Sequence, residues 1–180
     1  MIEPKGATVL RAMPLPRDYE RQSCALARAL EVVGERWTLL IVRDLFFGVR
    51  RFSDLQRHLD IPRAVLSARL AALVEQGIVE PDPYRLTAAG EELWPAVHAL
   101  MQWGERHTAP GGPRRVFAHV DCGSDLDAAG RCPTCGFAPR AGALEMRPGP
   151  GATAPQRDDA VTLALREPRR LLEELLPAQR

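Results

Sequence analysis

Lysine is almost absent from this chain of 180 residues: Lys5 is the only one, and every other long cationic side chain is an arginine. Long apolar runs are missing as well. None approaches the ~18 consecutive residues that mark a membrane span, so no membrane partner is expected. The opening MIEPKGATVLRAMPLPRDYERQ lacks a cationic segment leading into an apolar run. It does not read as a secretory leader, and a cytoplasmic location is the expectation. The signatures of common catalysts are absent too: no P-loop, G-x-S-x-G, H-E-x-x-H or H-x-E pattern occurs, which argues against an enzyme. A large charge of one sign is also lacking, since the formal net charge is +1. That excludes little, because a nucleic-acid binder needs to be basic on one face only.

What is present is the composition of a soluble globular protein, with 46% hydrophobic and 26% charged residues. The length suits one domain plus an appendage. The arginine bias has two readings, a preference for phosphate and base recognition or a codon bias that also enriches Ala, Gly and Pro.

Composition shifts divide the chain. Residues 1–20 hold several prolines without periodicity and read as a loose N-terminal arm. Residues 21–110 are densely periodic. Ser23 is placed to cap a first helix carrying Leu26, Leu30 and Val33, and Gly34 ends it. The stretch from Trp37 to Phe47 is apolar nearly all round and reads as a buried central helix. Ser53 is placed to cap a short helix facing inward through Leu55 and Leu59. Pro62 opens another, with Leu66, Leu70, Leu73 and Val74 as the inward stripe and Gly77 as the stop. IVEPDPYRLT reads as a tight hairpin, and Thr87 is placed to cap a longer helix through Leu93, Val97, Leu100, Met101 and Trp103. The expected fold is therefore mainly α with a small β-hairpin wing, in the winged helix-turn-helix order. Residues 114–140 form a small Cys/His module of zinc-ribbon type, and 141–180 a tail with a short strand followed by an amphipathic helix around Leu171, Leu172, Leu175 and Leu176.

The segment from Cys24 to Glu80 resembles the HxlR-type regulators, relatives of the MarR group. The resemblance rests on Cys24, on Gly34-Glu35-Arg36-Trp37-Thr38, on Arg51-Phe52-Ser53-Asp54-Leu55, on the run from Ile61 to Leu70, and on the run from Tyr84 to Gly90. It implies a sequence-specific transcriptional regulator acting as a homodimer on double-stranded DNA, with dimer contacts from the first and last helices. The wing departs from the family: only Pro81, Asp82 and Pro83 separate Glu80 from Tyr84. So short a wing discounts Arg85 as a minor-groove contact. No residue pattern names a small-molecule effector.

In a helix-turn-helix the second helix enters the major groove and its N-terminal residues meet base edges. A step of about 100° per residue from Leu66 puts Ala64, Ala68 and Ala71 outward, flanked by Arg63, Ser67 and Arg69. Arg63 is the candidate for a bidentate guanine contact, and Ala64 can approach a thymine methyl. Ser67 serves a base or a phosphate. Arg69 has two readings, a DNA contact or an ion pair with Asp54 or Glu75. Phosphate contacts are assigned to Arg50, Arg51, Arg57 and the helix start at Ser53. Between Arg43 and Arg69 six arginines face three aspartates.

His119-x2-Cys122-x9-Cys132-x2-Cys135 has the donor set of a closed tetrahedral zinc site. Four protein ligands leave no open position, so a Zn2+ there is structural. The other readings are reduced thiols without metal, or a Cys132–Cys135 disulfide. Similar tails occur in a subset of the regulators that the chain resembles. That resemblance also implies a role for Cys24, the position of a redox or electrophile sensor in some members. A thiol at a helix N-terminus is acidified by the dipole; packing as a small apolar residue is the other reading. The alternative function is a protein- or RNA-binding adaptor that uses the zinc-like module.

Overall fold

The computed structural model describes residues 19, 22–108, 111–153 and 157–176. The arm expected at 1–20 lies, apart from Tyr19, outside the described residues. Four helices come first: α1 (Ala25–Val33), α2 (Thr38–Phe46), α3 (Phe52–Leu59) and α4 (Arg63–Glu75). A hairpin of β1 (Val79–Glu80) and β2 (Arg85–Leu86) follows, paired antiparallel with Val79 opposite Leu86. Then come α5 (Ala88–Glu91) and α6 (Trp94–Thr108). This is the winged helix-turn-helix order expected from the spacing.

The sequence explains each element locally. Trp37 takes the N-cap of α2 with φ of 81°, and Ile41, Val42, Leu45 and Phe46 behind it are fully buried. Thr87 caps α5, its Oγ1 accepting from the Gly90 amide at 3.1 Å. The long helix expected after Thr87 is in fact two, because the chain turns at Glu92 and Leu93 before α6. Ser23 does not cap α1: Cys24 holds the N-cap position, with no side-chain cap.

The remaining chain builds an antiparallel sheet in the order β3 (Arg115–His119), β4 (Leu144–Pro148), β5 (Arg169–Arg170). In the register, Phe117 faces Met146 and His119 faces Leu144. Strands from both 114–140 and 141–180 thus share one sheet. In the tail the expected order is reversed. Helix α7 (Ala160–Ala164), capped by Asp159 through the Thr162 amide at 3.0 Å, precedes β5. Leu171 and Leu175 are buried without being helical. An amphipathic spacing there satisfied a docked irregular segment equally well, because its backbone groups found partners outside the segment.

Those partners are at the end of α2. The Leu172 amide donates to the Phe46 carbonyl at 2.7 Å, and the Leu175 amide to the Gly48 carbonyl at 2.9 Å. The carbonyls that a helix leaves unpaired at its C-terminus are thereby satisfied. Gly48 has φ of 84°, and a Cβ there would stand 1.7 Å from the Glu173 carbonyl oxygen, so only glycine admits the tail. The two halves share a core: Trp94 packs edge-on to Phe46 at 5.2 Å and to Phe117 at 4.9 Å between centroids. Edge-on pairs of this kind add about 0.5–1.5 kcal/mol beyond area burial. His98 lies buried against Trp94 and Phe117.

Candidate DNA-binding surface and metal centre

The helix-turn-helix consists of α3, the turn Asp60-Ile61-Pro62, and α4. Asp60 takes the left-handed conformation, with φ of 53°, and buried Ile61 anchors the turn from inside. Leu66, Leu70 and Leu73 bury the inner face of α4, leaving Arg63, Ala64, Ser67, Ala68 and Ala71 exposed on the outer face. A small outer face of this kind lets a helix seat deeply in a major groove. The Arg63 guanidinium lies 5.1 Å from the centre of the Phe52 ring, which joins the first turns of α3 and α4 by a cation–π contact.

The arginines separate by environment. Arg57 is exposed, and Arg51, at the N-cap of α3, is half-buried with its Nη2 atom unpaired. Arg69 donates to Glu35 at 2.9 Å, a partner on the α1–α2 connection rather than Asp54 or Glu75. Arg50 is buried: Nη2 donates to the Leu172 carbonyl and Nη1 to the Tyr84 carbonyl at 3.5 Å. A guanidinium spent on two internal carbonyls is a structural staple, which corrects its assignment to phosphate. Ser53 is exposed in the first turn of α3, but the N-cap is Arg51 and Ser53 makes no capping bond. Arg43 pairs with buried Asp44 at 2.7 Å, which also receives His58 of α3 at 2.7 Å. Of the six arginines counted from sequence, Arg51, Arg57 and Arg63 remain for the outer surface. The inward partners were invisible to spacing, since Glu35, Tyr84 and Leu172 come from distant segments.

Several large apolar side chains on the helical half are exposed among the described residues. Leu26 on α1 is 66% exposed, and Leu100 and Trp103 on α6 are 54% and 55% exposed. Ala27 is the one buried residue of α1, and burial along α6 stops at His98.

The metal-type residues meet at the end of β3. His119, Cys122, Cys132 and Cys135 bring one ligand atom each within 4.8 Å of one another. Cys122 Sγ lies 3.5 Å from His119 Nδ1 and 3.3 Å from Cys132 Sγ, and Cys135 Sγ lies 3.4 Å from His119 Nδ1. All four cysteines of the chain are free thiols. The two ligand pairs are built alike. Each ends in Cys-Gly, with Gly123 and Gly136 at φ of 71° and 77°, and each closes by an amide-to-carbonyl bond of 2.8 Å across the turn. Tetrahedral ligands at the zinc–sulfur length of about 2.3 Å stand about 3.8 Å apart, within the range seen here. The remaining ring nitrogen, His119 Nε2, lies 3.5 Å from the Asp121 carboxylate. The Asp121 carboxylate thus stands behind the ring while Nδ1 faces the sulfurs. The backbone amide of Ser124 and then its hydroxyl lower the Cys122 pKa to about 6, while the bond to Cys122 comes first in pushing Cys135 up to about 11. Three sulfurs and an imidazole nitrogen converging on one point are the donor set of a closed zinc site, and the residues fit a metal ion.

Cys24 is exposed at the start of α1, where the amides of Ala27 and Leu26 lower its thiol pKa. Among the described residues no helix is long and apolar enough to cross a membrane.

Known proteins share this architecture. A model of the HxlR-like helix-turn-helix matches residues 32–111. The HTH-type transcriptional regulator Rv3095 of Mycobacterium tuberculosis, itself uncharacterised, is 46% identical over 150 residues, covering 78% of this chain and 94% of that protein. YtfH of Escherichia coli, with the same description, is 34% identical over 94 residues, covering 47% of this chain and 75% of its own. The crystal structure of PA1607, a candidate transcription factor, matches with a TM-score of 0.54 and 32% identity, covering 77% of this chain and 98% of that one. These relatives are described as transcriptional regulators or transcription factors. The chain belongs to the HxlR-like helix-turn-helix family of DNA-binding transcriptional regulators.

Proposed function

We propose that the chain acts as a homodimer that binds a specific, roughly palindromic operator through α4, with Arg63, Ala64 and Ser67 at base edges. The observation that carries this reading is the division of α4 into a leucine face sunk in the core and an outer face of small residues and Arg63. Arg51, Arg57 and the first turn of α3 at Ser53 contact phosphates and set the register. Arg69 acts from the side, held by Glu35. The uncovered Leu26, Leu100 and Trp103 support dimerisation through α1 and α6. His119, Cys122, Cys132 and Cys135 hold a structural Zn2+, which ties the loops between β3 and β4 and takes no part in chemistry. Cys24 is an oxidant-responsive position, supported by the amides that stabilise its thiolate. A Cys24→Ser variant that releases DNA under peroxide as readily as the parent would remove that role.

The test is fluorescence anisotropy against the gene's own upstream DNA and a random duplex at two salt concentrations. Tighter binding upstream, with a steep salt dependence, establishes specific regulation. Equal weak binding to both overturns it and leaves a protein- or RNA-binding adaptor built on the metal module.

A further inference from the structure

Between the helix-turn-helix and the C-terminal sheet lies a cleft of about 930 Å³ whose walls carry Arg43, Arg114, Arg115, Arg157, Arg166 and His58. Among the described residues lining it there is no Asp or Glu. Three acidic groups near the walls are engaged, and a fourth, Glu105, acts on Arg115 without reaching ion-pair distance. Asp44 is buried between Arg43 and His58, while Asp60 and Asp159 lie 3.5 and 3.7 Å from Arg157. No carboxylate of the described residues stands within ion-pair distance of Arg114, Arg115 or Arg166.

The positive charge is also crowded. Arg43 and Arg115 both approach the ring of Phe47, their guanidinium carbons 5.9 and 5.1 Å from its centre. Arg115 is further fixed by donating to the Leu165 carbonyl at 3.0 Å. Burial, then the charge of Arg43, lower its pKa to about 10, so it stays cationic at neutral pH. A fixed, partly desolvated guanidinium such as Arg115, with no ion-pair partner among the described residues, attracts an anion more strongly than the same group in water. Planar guanidinium forks match carboxylate and phosphate oxygens two at a time. The volume is that of a metabolite site.

We propose that this cleft binds a small molecule bearing two anionic groups, carboxylates or phosphates, and that its occupancy is passed to α3. The link to α3 is direct. Arg157 donates to the carbonyl of Arg57 at 2.6 Å and pairs with Asp60 at the turn, and His58 of α3 itself lines the cleft. An anion that draws Arg157 inward weakens its hold on the turn before α4. This second step rests on the DNA-binding reading above; the binding step does not.

The test uses the full chain and three probes, inorganic phosphate, succinate and fructose 1,6-bisphosphate, titrated calorimetrically at ionic strength held constant with chloride. Saturable binding of succinate or the bisphosphate at one site per chain is expected. It should weaken about tenfold or more in the double variant Arg114→Gln/Arg166→Gln. Both side chains are exposed, and a melting temperature close to the parent's confirms that the variant folds. No saturable binding of any probe up to millimolar concentration overturns the site, as does equal affinity in the double variant. Weaker binding of the double variant to random duplex, with no probe present, also overturns it, by assigning these arginines to DNA. Upstream DNA affinity is then measured with and without the bound probe. A change of threefold or more in the parent and none in the double variant supports the link to α3, and an unchanged affinity removes the link alone. If the protein binds the probe but no specific DNA, the DNA reading fails and the cleft stands.

Discussion

His58 Nδ1 of α3 sits 2.7 Å from Oδ2 of Asp44, a carboxylate wholly buried on α2, whose other oxygen accepts from Arg43 at 2.7 Å. One internal carboxylate thus joins the central helix, the first helix of the DNA-binding pair and the wall of the basic cleft. Burial raises the Asp44 pKa, but the charge of Arg43 and the bond to His58 outweigh it and bring the net value below the ordinary one.

The sign of the pH dependence follows. A carboxyl whose folded pKa is depressed stabilises the fold above its unfolded pKa of about 3.9, and that stability is lost as pH falls through the folded value. Asp44→Asn is expected to cost about 3 kcal/mol at pH 7, because it leaves Arg43 without its counterion and disturbs the bond to His58. Urea unfolding at pH 7 and pH 3 checks this: the gap between parent and variant should shrink at the lower pH. A gap that is the same at both would show that shape, not charge, is what Asp44 supplies.

The order of helices and hairpin was legible because each element repeats one local rule, a leucine spacing or a turn. Leu66, Leu70 and Leu73 declared the inner face of α4, and the Cys/His spacing declared its own cluster. What stayed hidden was every interaction joining remote segments. Nothing near Arg50 shows that the Leu172 carbonyl will meet it, so its position in an arginine-rich turn pointed outward. The tail was misread for a related reason. Leu171, Leu172, Leu175 and Leu176 are spaced as on a helix, yet Pro168 and the open end of α2 favoured an irregular segment whose amides cap that helix. His58 and Asp44 stand 14 residues apart, and only the packing of α3 on α2 brings them together.

Arg50 and Arg51 are neighbours with opposite expected behaviour. Arg50→Met removes bonds to the Leu172 and Tyr84 carbonyls, so it should lower stability by about 2 kcal/mol and leave the salt slope of DNA binding unchanged. Arg51→Ala should lower that slope by roughly 1 with little effect on stability. Chemical denaturation and salt-dependent anisotropy on both variants separate the two roles. A loss of slope in the Arg50 variant would return that side chain to the DNA surface.

Trp103 and Leu26 test the proposed dimer. Exposed Trp103 follows exposed Leu100 by three residues on α6, the composition of an interface centre, where truncation typically costs about 2 kcal/mol or more. Trp103→Asp should weaken self-association by at least about 30-fold and shift the chain to monomer in light scattering at micromolar concentration. Leu26→Asp should act in the same direction. Dimers that persist in both variants would place the interface elsewhere.

The metal centre makes the last prediction, and its reach depends on the sheet. His119 closes β3 two residues after Phe117, which packs on Trp94, and lies opposite buried Leu144. A bound zinc therefore fastens the end of a hairpin whose middle belongs to the shared core. The purified chain should carry one zinc per molecule by elemental analysis. Cys132→Ala should abolish it, because Cys132 is buried at the centre of the cluster. Asp121→Asn should retain zinc but bind it about tenfold more weakly, since the carboxylate orients the His119 ring from behind. Chelation should lower the melting temperature and alter the near-ultraviolet signal of Trp94. The zinc content distinguishes a metal site from a packed thiol cluster, and the Asp121 variant tests how the His119 ring is held. If that variant and the parent lose zinc at the same chelator concentration, the orientation of His119 by Asp121 is not part of the site.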